Sequence, residues 1–202
     1  MNLCNKYNFL VFLTVLVLKP ELVFAEKLTL QEFHQLPMYC QKQKWLAAEY
    51  TKASSEQIMR EYKLFESKFG SPYYHFHHWC WALVDINRYY SDFKNPLRAN
   101  HLAAAIPNID YVLNYTSESY FMLPEMLTRR GKVYSLLKQN GKAAADFTHA
   151  IRVNPKYGLA YVYYSDLYRE SGQKDEPIKI IKAGLAADPK SDLLQKQLQR
   201  LK

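Results

Sequence analysis

PEMLTRRGKVYSLLKQNGKAAADFTHAIRVNPKY (124–157) runs without a gap into GLAYVYYSDLYRESGQKDEPIKIIKAGLAADPKS (158–191), and the two stretches align at a spacing of 34 residues. Pro155 and Pro189 close them, each after an amide or an acid (Asn154, Asp188). A period of this length with two helices per unit is the signature of a helix-turn-helix repeat array. Small residues at Gly131, Ala143, Ala150, Ser165 and Gly184 let two helices approach closely, while Tyr134, Phe147, Tyr161 and Tyr168 fill the space between successive pairs. Asn140-Gly141 and Ser171-Gly172 are turn-formers predicted to reverse each first helix into its second. Pro177 falls in the first turn of a helix N-capped by Asp175, where a missing N–H costs little. Arrays of this kind need neighbours and a polar terminal cap. Residues 192–202, started by Ser191, supply the cap, with Leu194, Leu198 and Leu201 in one stripe.

These residues resemble the tetratricopeptide repeat (TPR) family. The first unit has Leu127, Arg130, Gly131, Tyr134, Ala143, Phe147, Ala150 and Pro155 at the family's eight consensus positions. Only Arg130, where the family favours leucine, departs from type. The second has Tyr161, Tyr164, Ser165, Tyr168, Pro177, Ile181, Gly184 and Pro189 there, with Pro177 in place of the usual alanine. The resemblance covers about a third of the chain. It implies an all-α fold in which antiparallel helix pairs stack as a short right-handed α-solenoid.

Upstream, ANHLAAAIPNIDYVLNY (99–115) places Leu102, Ala105, Ile109 and Val112 on one helical face, and SPYYHFHHWCWALVDINRYY (71–90) supplies the helix before it. Residues 71–123 therefore read as a degenerate pair with a longer connecting loop. Residues 26–70 read as two or three helices, the last capped by Ser55 and carrying Ile58, Tyr62, Phe65 and Phe69 on one face before Gly70 and Pro72 end it. No flexible linker separates this part from the rest, so it is expected to pack on the array.

The first 25 residues carry Lys6, an apolar run from Phe9 to Leu18, and Val23-Phe24-Ala25 before Glu26. A run this short suits a cleaved secretory signal ending at Ala25, placing the chain from Glu26 in the periplasm or outside the cell; an uncleaved N-terminal anchor is the alternative. The chain carries a net charge of +8, or +7 without residues 1–25. The basic residues are scattered, with no Lys/Arg run to track a nucleic-acid backbone, so a solvated basic surface is expected and nucleic acid is not.

Cys40 and Cys80 are the cysteines beyond the leader. In an oxidising compartment such a pair forms a bridge, here tying the N-terminal helices to the first helix of the array; buried free thiols are the alternative. His75, His77, His78 and Cys80 form the one constellation with ligand chemistry, suited to Zn or Cu, but their spacing matches no zinc or haem motif. Histidines and tryptophans closing an aromatic core account for the same residues. There is no G-x-S-x-G, no H-E-x-x-H and no Gly-rich phosphate loop, so no catalytic residue and no cofactor is assigned and a non-enzyme is expected. Glu125, Asp146 and Asp166 occupy repeat positions expected to face solvent or the groove.

In the TPR family the first helix of each unit lines a concave groove that binds a segment of a partner protein. Carried onto this sequence, the groove would show Glu125, Thr128, Lys132 and Ser135 from the first unit and Leu159, Val162, Asp166 and Arg169 from the second. A mixed surface of this kind suits a helix or an extended peptide. The family's carboxylate clamp is not matched, because Thr128 and Val162 stand where it needs polar or basic side chains. The resemblance thus implies a protein-binding adaptor of the bacterial envelope; the alternative is a metal-binding protein using the histidine cluster.

Overall fold

The computed structural model describes residues 27–202. The expected signal peptide, residues 1–25, lies outside them. The described residues are all-helical, with eleven α-helices and no strand. None of these helices is long and apolar enough to cross a membrane.

Four helices, rather than two or three, make up the N-terminal part: α1 (Leu30–Gln35), α2 (Met38–Gln41), α3 (Lys44–Tyr50) and α4 (Ser55–Phe69). Three are short, because Pro37 and the extended residues Gln43 and Thr51 interrupt the run. Thr29 closes a capping box with Glu32 at the start of α1, and Ser54, one residue before the expected Ser55, caps α4 by accepting from Gln57 N–H. Gly70, at φ 72°, ends α4 and passes the chain into a 3-10 turn at Ser71–His75. Of the predicted face of α4, Ile58 and Tyr62 are buried, while Phe65 and Phe69 pack half-buried on the same core.

Three neighbouring helix pairs follow. In the first, α5 (Phe76–Ser91) packs on α6 (Ala99–Leu113). Leu102, Ala105, Ile109 and Val112 of α6 are all buried, as their spacing predicts. Cys40 of α2 is bonded to Cys80 of α5, with Cα atoms 5.6 Å apart, so the expected bridge joins the N-terminal helices to this pair. Tyr73 hydroxyl donates to Tyr39 carbonyl at 2.8 Å and Gln43 amide N–H donates to Tyr73 carbonyl at 2.6 Å, which ties the 3-10 turn to α2 and the residue before α3 beside the bridge.

The next pairs are α7 (Leu123–Leu136) with α8 (Asn140–Val153), and α9 (Gly158–Glu170) with α10 (Asp175–Ala187). Both need a missing side chain. A Cβ on Gly131 would stand 2.7 Å from the Phe147 ring, and one on Gly184 would stand 2.9 Å from Leu194 and from Tyr161. Ser165 hydroxyl donates to Pro177 carbonyl at 3.1 Å, tying α9 to the start of α10. The N-cap of α10 is Lys174, with Asp175 its first helical residue and Pro177 still in the first turn. Asn140-Gly141 does not form the first reversal but begins α8; the chain turns instead at Lys138, at φ 61°. Finally α11 (Asp192–Arg200) follows Ser191 and lies on α9 and α10, with Leu194 buried and Leu198 and Leu201 packed beside it.

Candidate functional site

The accessible stripe of α7 runs through Glu125, Arg129 and Lys132, one helical turn apart in succession. Arg129 Nε donates to Glu125 Oε1 at 3.0 Å. Lys132 Nζ lies 4.0 Å from Glu170 Oε1 of α9 and 5.3 Å from the centroid of the Tyr163 ring. The site therefore spans α7 and α9, which pack side by side.

Tyrosines surround these charges. Burial pushes the Tyr157 hydroxyl up to about 12, and Glu125, Arg129, Tyr163 and Tyr39 all lie within electrostatic reach of it. Burial also raises Tyr39, whose oxygen accepts from Trp79 Nε1–H at 3.2 Å. Tyr90, at the end of α5, is raised by burial, with Tyr163, Tyr89 and Glu170 adding to the effect and Arg129 opposing it. All these hydroxyls are neutral at ordinary pH and offer both a donor and an acceptor beside a rigid apolar ring. Such a surface can hold peptide groups and apolar side chains of another chain.

Only part of the expected groove faces this way. Glu125 and Lys132 are on the stripe and Leu159 is half-exposed. Thr128 is fully enclosed and Ser135 nearly so, because α7 is packed on α6, α8 and α9. Val162 is buried in a cluster with Leu194, and Asp166 accepts from Gln197 amide at 3.1 Å; α11 covers both. Arg169 is exposed and folds back on Asp166 at 3.1 Å. The open register thus follows 125, 129, 132 and 163, 170, whereas 128 and 162, an equivalent pair 34 apart, turn toward the next helix.

Arg129 and Tyr163, absent from the expectation, are themselves 34 residues apart, so the repeat spacing held the signal that links them. Tyr39, Tyr90 and Tyr157 lie outside the two first helices and carried no such mark. Asp146, expected to face solvent or the groove, is buried and clamped by Arg130. Their pair forms one wall of a cleft of about 410 Å³ that also takes in Asp110, Tyr134 and Lys142.

The histidine cluster is a stacked aromatic surface. His75 lies flat on Tyr115 with centroids 3.5 Å apart, and His78 packs on Tyr111 at 3.8 Å. His78 Nδ1 pairs with Asn108 Oδ1 at 2.8 Å, and His77 Nδ1 with Tyr74 carbonyl at 3.2 Å. Burial lowers the pKa of His75 and of His77, with His78 adding to both. Cys80 is committed to its disulfide and has no thiolate to offer. Among the described residues no three His, Cys, Asp or Glu side chains converge as a metal would require. No family model matches the chain, and no curated protein matches it.

Proposed function

We propose that the chain is a TPR-type scaffold, without enzymatic activity, that binds a segment of another protein across α7 and α9 in the bacterial envelope. The observation that carries this reading is the open tyrosine-lined stripe of Glu125, Arg129, Lys132 and Tyr163, flanked by Tyr90 and Glu170. Tyrosine and arginine are the side chains that anchor interfaces, since they bury large area at little entropic cost. Further support comes from the paired helices at a spacing of 34 and from the enforced close approaches at Gly131 and Gly184. The envelope location draws on the disulfide together with the apolar run at 9–18.

The test is site-directed photocrosslinking in the producing cell, with the photoreactive residue at Tyr163 and, as a control, at Lys182 on the exposed side of α10. A discrete cross-linked protein from position 163, absent from position 182 and lost in Lys132→Glu and Arg129→Glu, is the expected outcome. Equal cross-linking from both positions, or adducts indifferent to both charge reversals, would refute the assignment.

A further inference from the structure

Phe93 and Leu97 are the two most exposed large apolar side chains among the described residues, at 68% and 65%. Both stand on the seven-residue loop between α5 and α6, and each is followed directly by a base, Lys94 and Arg98. The loop holds them out by its own bonding. Asn95 amide donates to Asp92 Oδ2 at 2.7 Å, Leu97 N–H donates to Asn95 Oδ1 at 2.8 Å, Pro96 fixes the backbone between them, and the Arg98 guanidinium sits 4.8 Å from the Tyr89 ring. The two apolar tips themselves gain nothing for the fold, because solvated side chains contribute no burial.

Where this loop lies adds a second observation. Lys27, the first described residue, lines one cleft of about 160 Å³ together with Arg88 and Asp92. The point at which the chain arrives from its apolar run at 9–18 is therefore at the foot of the loop. In the uncleaved form, a membrane that takes up that run is tethered to this end of the molecule. Asp92 is the one acid of the loop, and its carboxylate is engaged by Asn95.

We infer that the loop docks the protein on an anionic lipid surface, Phe93 and Leu97 entering the interface while Lys94 and Arg98 meet headgroup phosphates. Apolar insertion and headgroup attraction reinforce each other in interfacial binding, and a base beside each apolar tip can extend its stem along the acyl boundary with its charge in the headgroups. The proposal is independent of the stripe on α7 and α9.

Co-sedimentation of the full chain, its N-terminus fixed by intact mass, with phosphatidylcholine vesicles with and without phosphatidylglycerol tests this. Binding to the anionic vesicles, weakened by added salt, is expected. Phe93→Ser with Leu97→Ser should lower partitioning about tenfold or more, and Lys94→Glu with Arg98→Glu by a similar roughly tenfold factor on anionic vesicles alone. The apolar double variant alters only exposed side chains, so its circular dichroism and thermal melting should match the parent; Arg98→Glu also gives up the Tyr89 contact, so the melting of the charge variant is measured beside its binding. Phe93→Trp should gain a blue-shifted emission on anionic vesicles over the parent spectrum. The proposal falls if no vesicle is bound, if binding ignores lipid charge, or if both double variants bind like the parent, as they would were residues 1–26 or another protein responsible.

Discussion

Arg130 and Asp146 grip each other through two parallel hydrogen bonds, Nε to Oδ2 at 2.8 Å and Nη2 to Oδ1 at 2.7 Å, while Arg130 Nη1 reaches Asp110 at 2.6 Å. One guanidinium thereby joins α6, α7 and α8. Burial pushes the Asp146 carboxyl up, and the hydrogen bonds and charge of Arg130 hold it back. Removing one partner leaves the other charge enclosed and unmatched, which costs more than the pair contributes. Arg130→Leu alone is expected to destabilise by about 2–3 kcal/mol in urea unfolding, less than a fully sealed pair because Arg130 is partly solvated. Adding Asp146→Leu should restore most of that loss. Equal and additive losses would show that the two side chains do not act as a unit.

Glu32 receives Arg88 Nε at 2.5 Å and Nη2 at 3.1 Å, and its own capping bond from Thr29 N–H at 2.7 Å. The Arg88 bond is the main cause that holds its carboxyl down to about 2 from an ordinary 4.5. A depressed carboxyl stabilises the fold above its unfolded value and ceases to do so as pH falls through its folded one. The contribution, at most about 3 kcal/mol, should therefore fade between pH 4.5 and about 2. Amide exchange of residues 28–36 should accelerate over that interval relative to the rest of the chain. In Glu32→Gln the acceleration should vanish, and its persistence would reassign the acid response to another group.

The Cys40–Cys80 bond closes a separation of 40 residues, and both sulfur-bearing residues are without solvent access. Chain entropy assigns such a closure about 4 kcal/mol. Replacing both cysteines with alanine should lower Tm by roughly 10 °C in a domain of this size. A drop of only a degree or two would mean that helix packing alone holds α2 against α5.

Gly184 offers a sharper probe of α11. Its absent Cβ leaves room for Leu194 Cδ1 and the Tyr161 ring, both of which would come to 2.9 Å. Gly184→Ala should cost about 1–3 kcal/mol through overpacking, despite alanine's better helix propensity. Leu194→Ala in the same chain should relieve part of that cost, so the double variant lies above the sum of the singles. Additive losses would place the strain on Tyr161 instead.

What the sequence made legible is tied to its period. Gly131 and Gly184 stand at approach points that a repeat demands, and the structure needs both empty of side chain. The same period explains one misreading. Lys138 and Gly172 are 34 apart and both take a left-handed backbone, at φ 61° and 81°, with Gln139 and Gln173 N–H closing back on Tyr134 and Tyr168 carbonyls. Asn-Gly is a generic turn signal and outshone a lysine that no propensity assigns to that conformation. Thr128, Val162 and Asp146 were harder still. Their exposure is decided by α9, α11 and Arg130, which arrive from elsewhere in the chain, and a position within one helix carries no record of what will be laid across it.

α11 does more than seal the last pair. By sitting over Val162 and bonding Asp166 through Gln197, it gives the open face a far wall. A strand laid across α7 and α9 must stop or turn away there, after crossing two to three helix widths, roughly 20–30 Å. In extended form that distance is filled by about six to nine residues. On the proposed binding reading, the terminal helix would act as a gauge stop, favouring short linear epitopes, chain ends and loop tips over any ligand that needs an unbroken run beyond it.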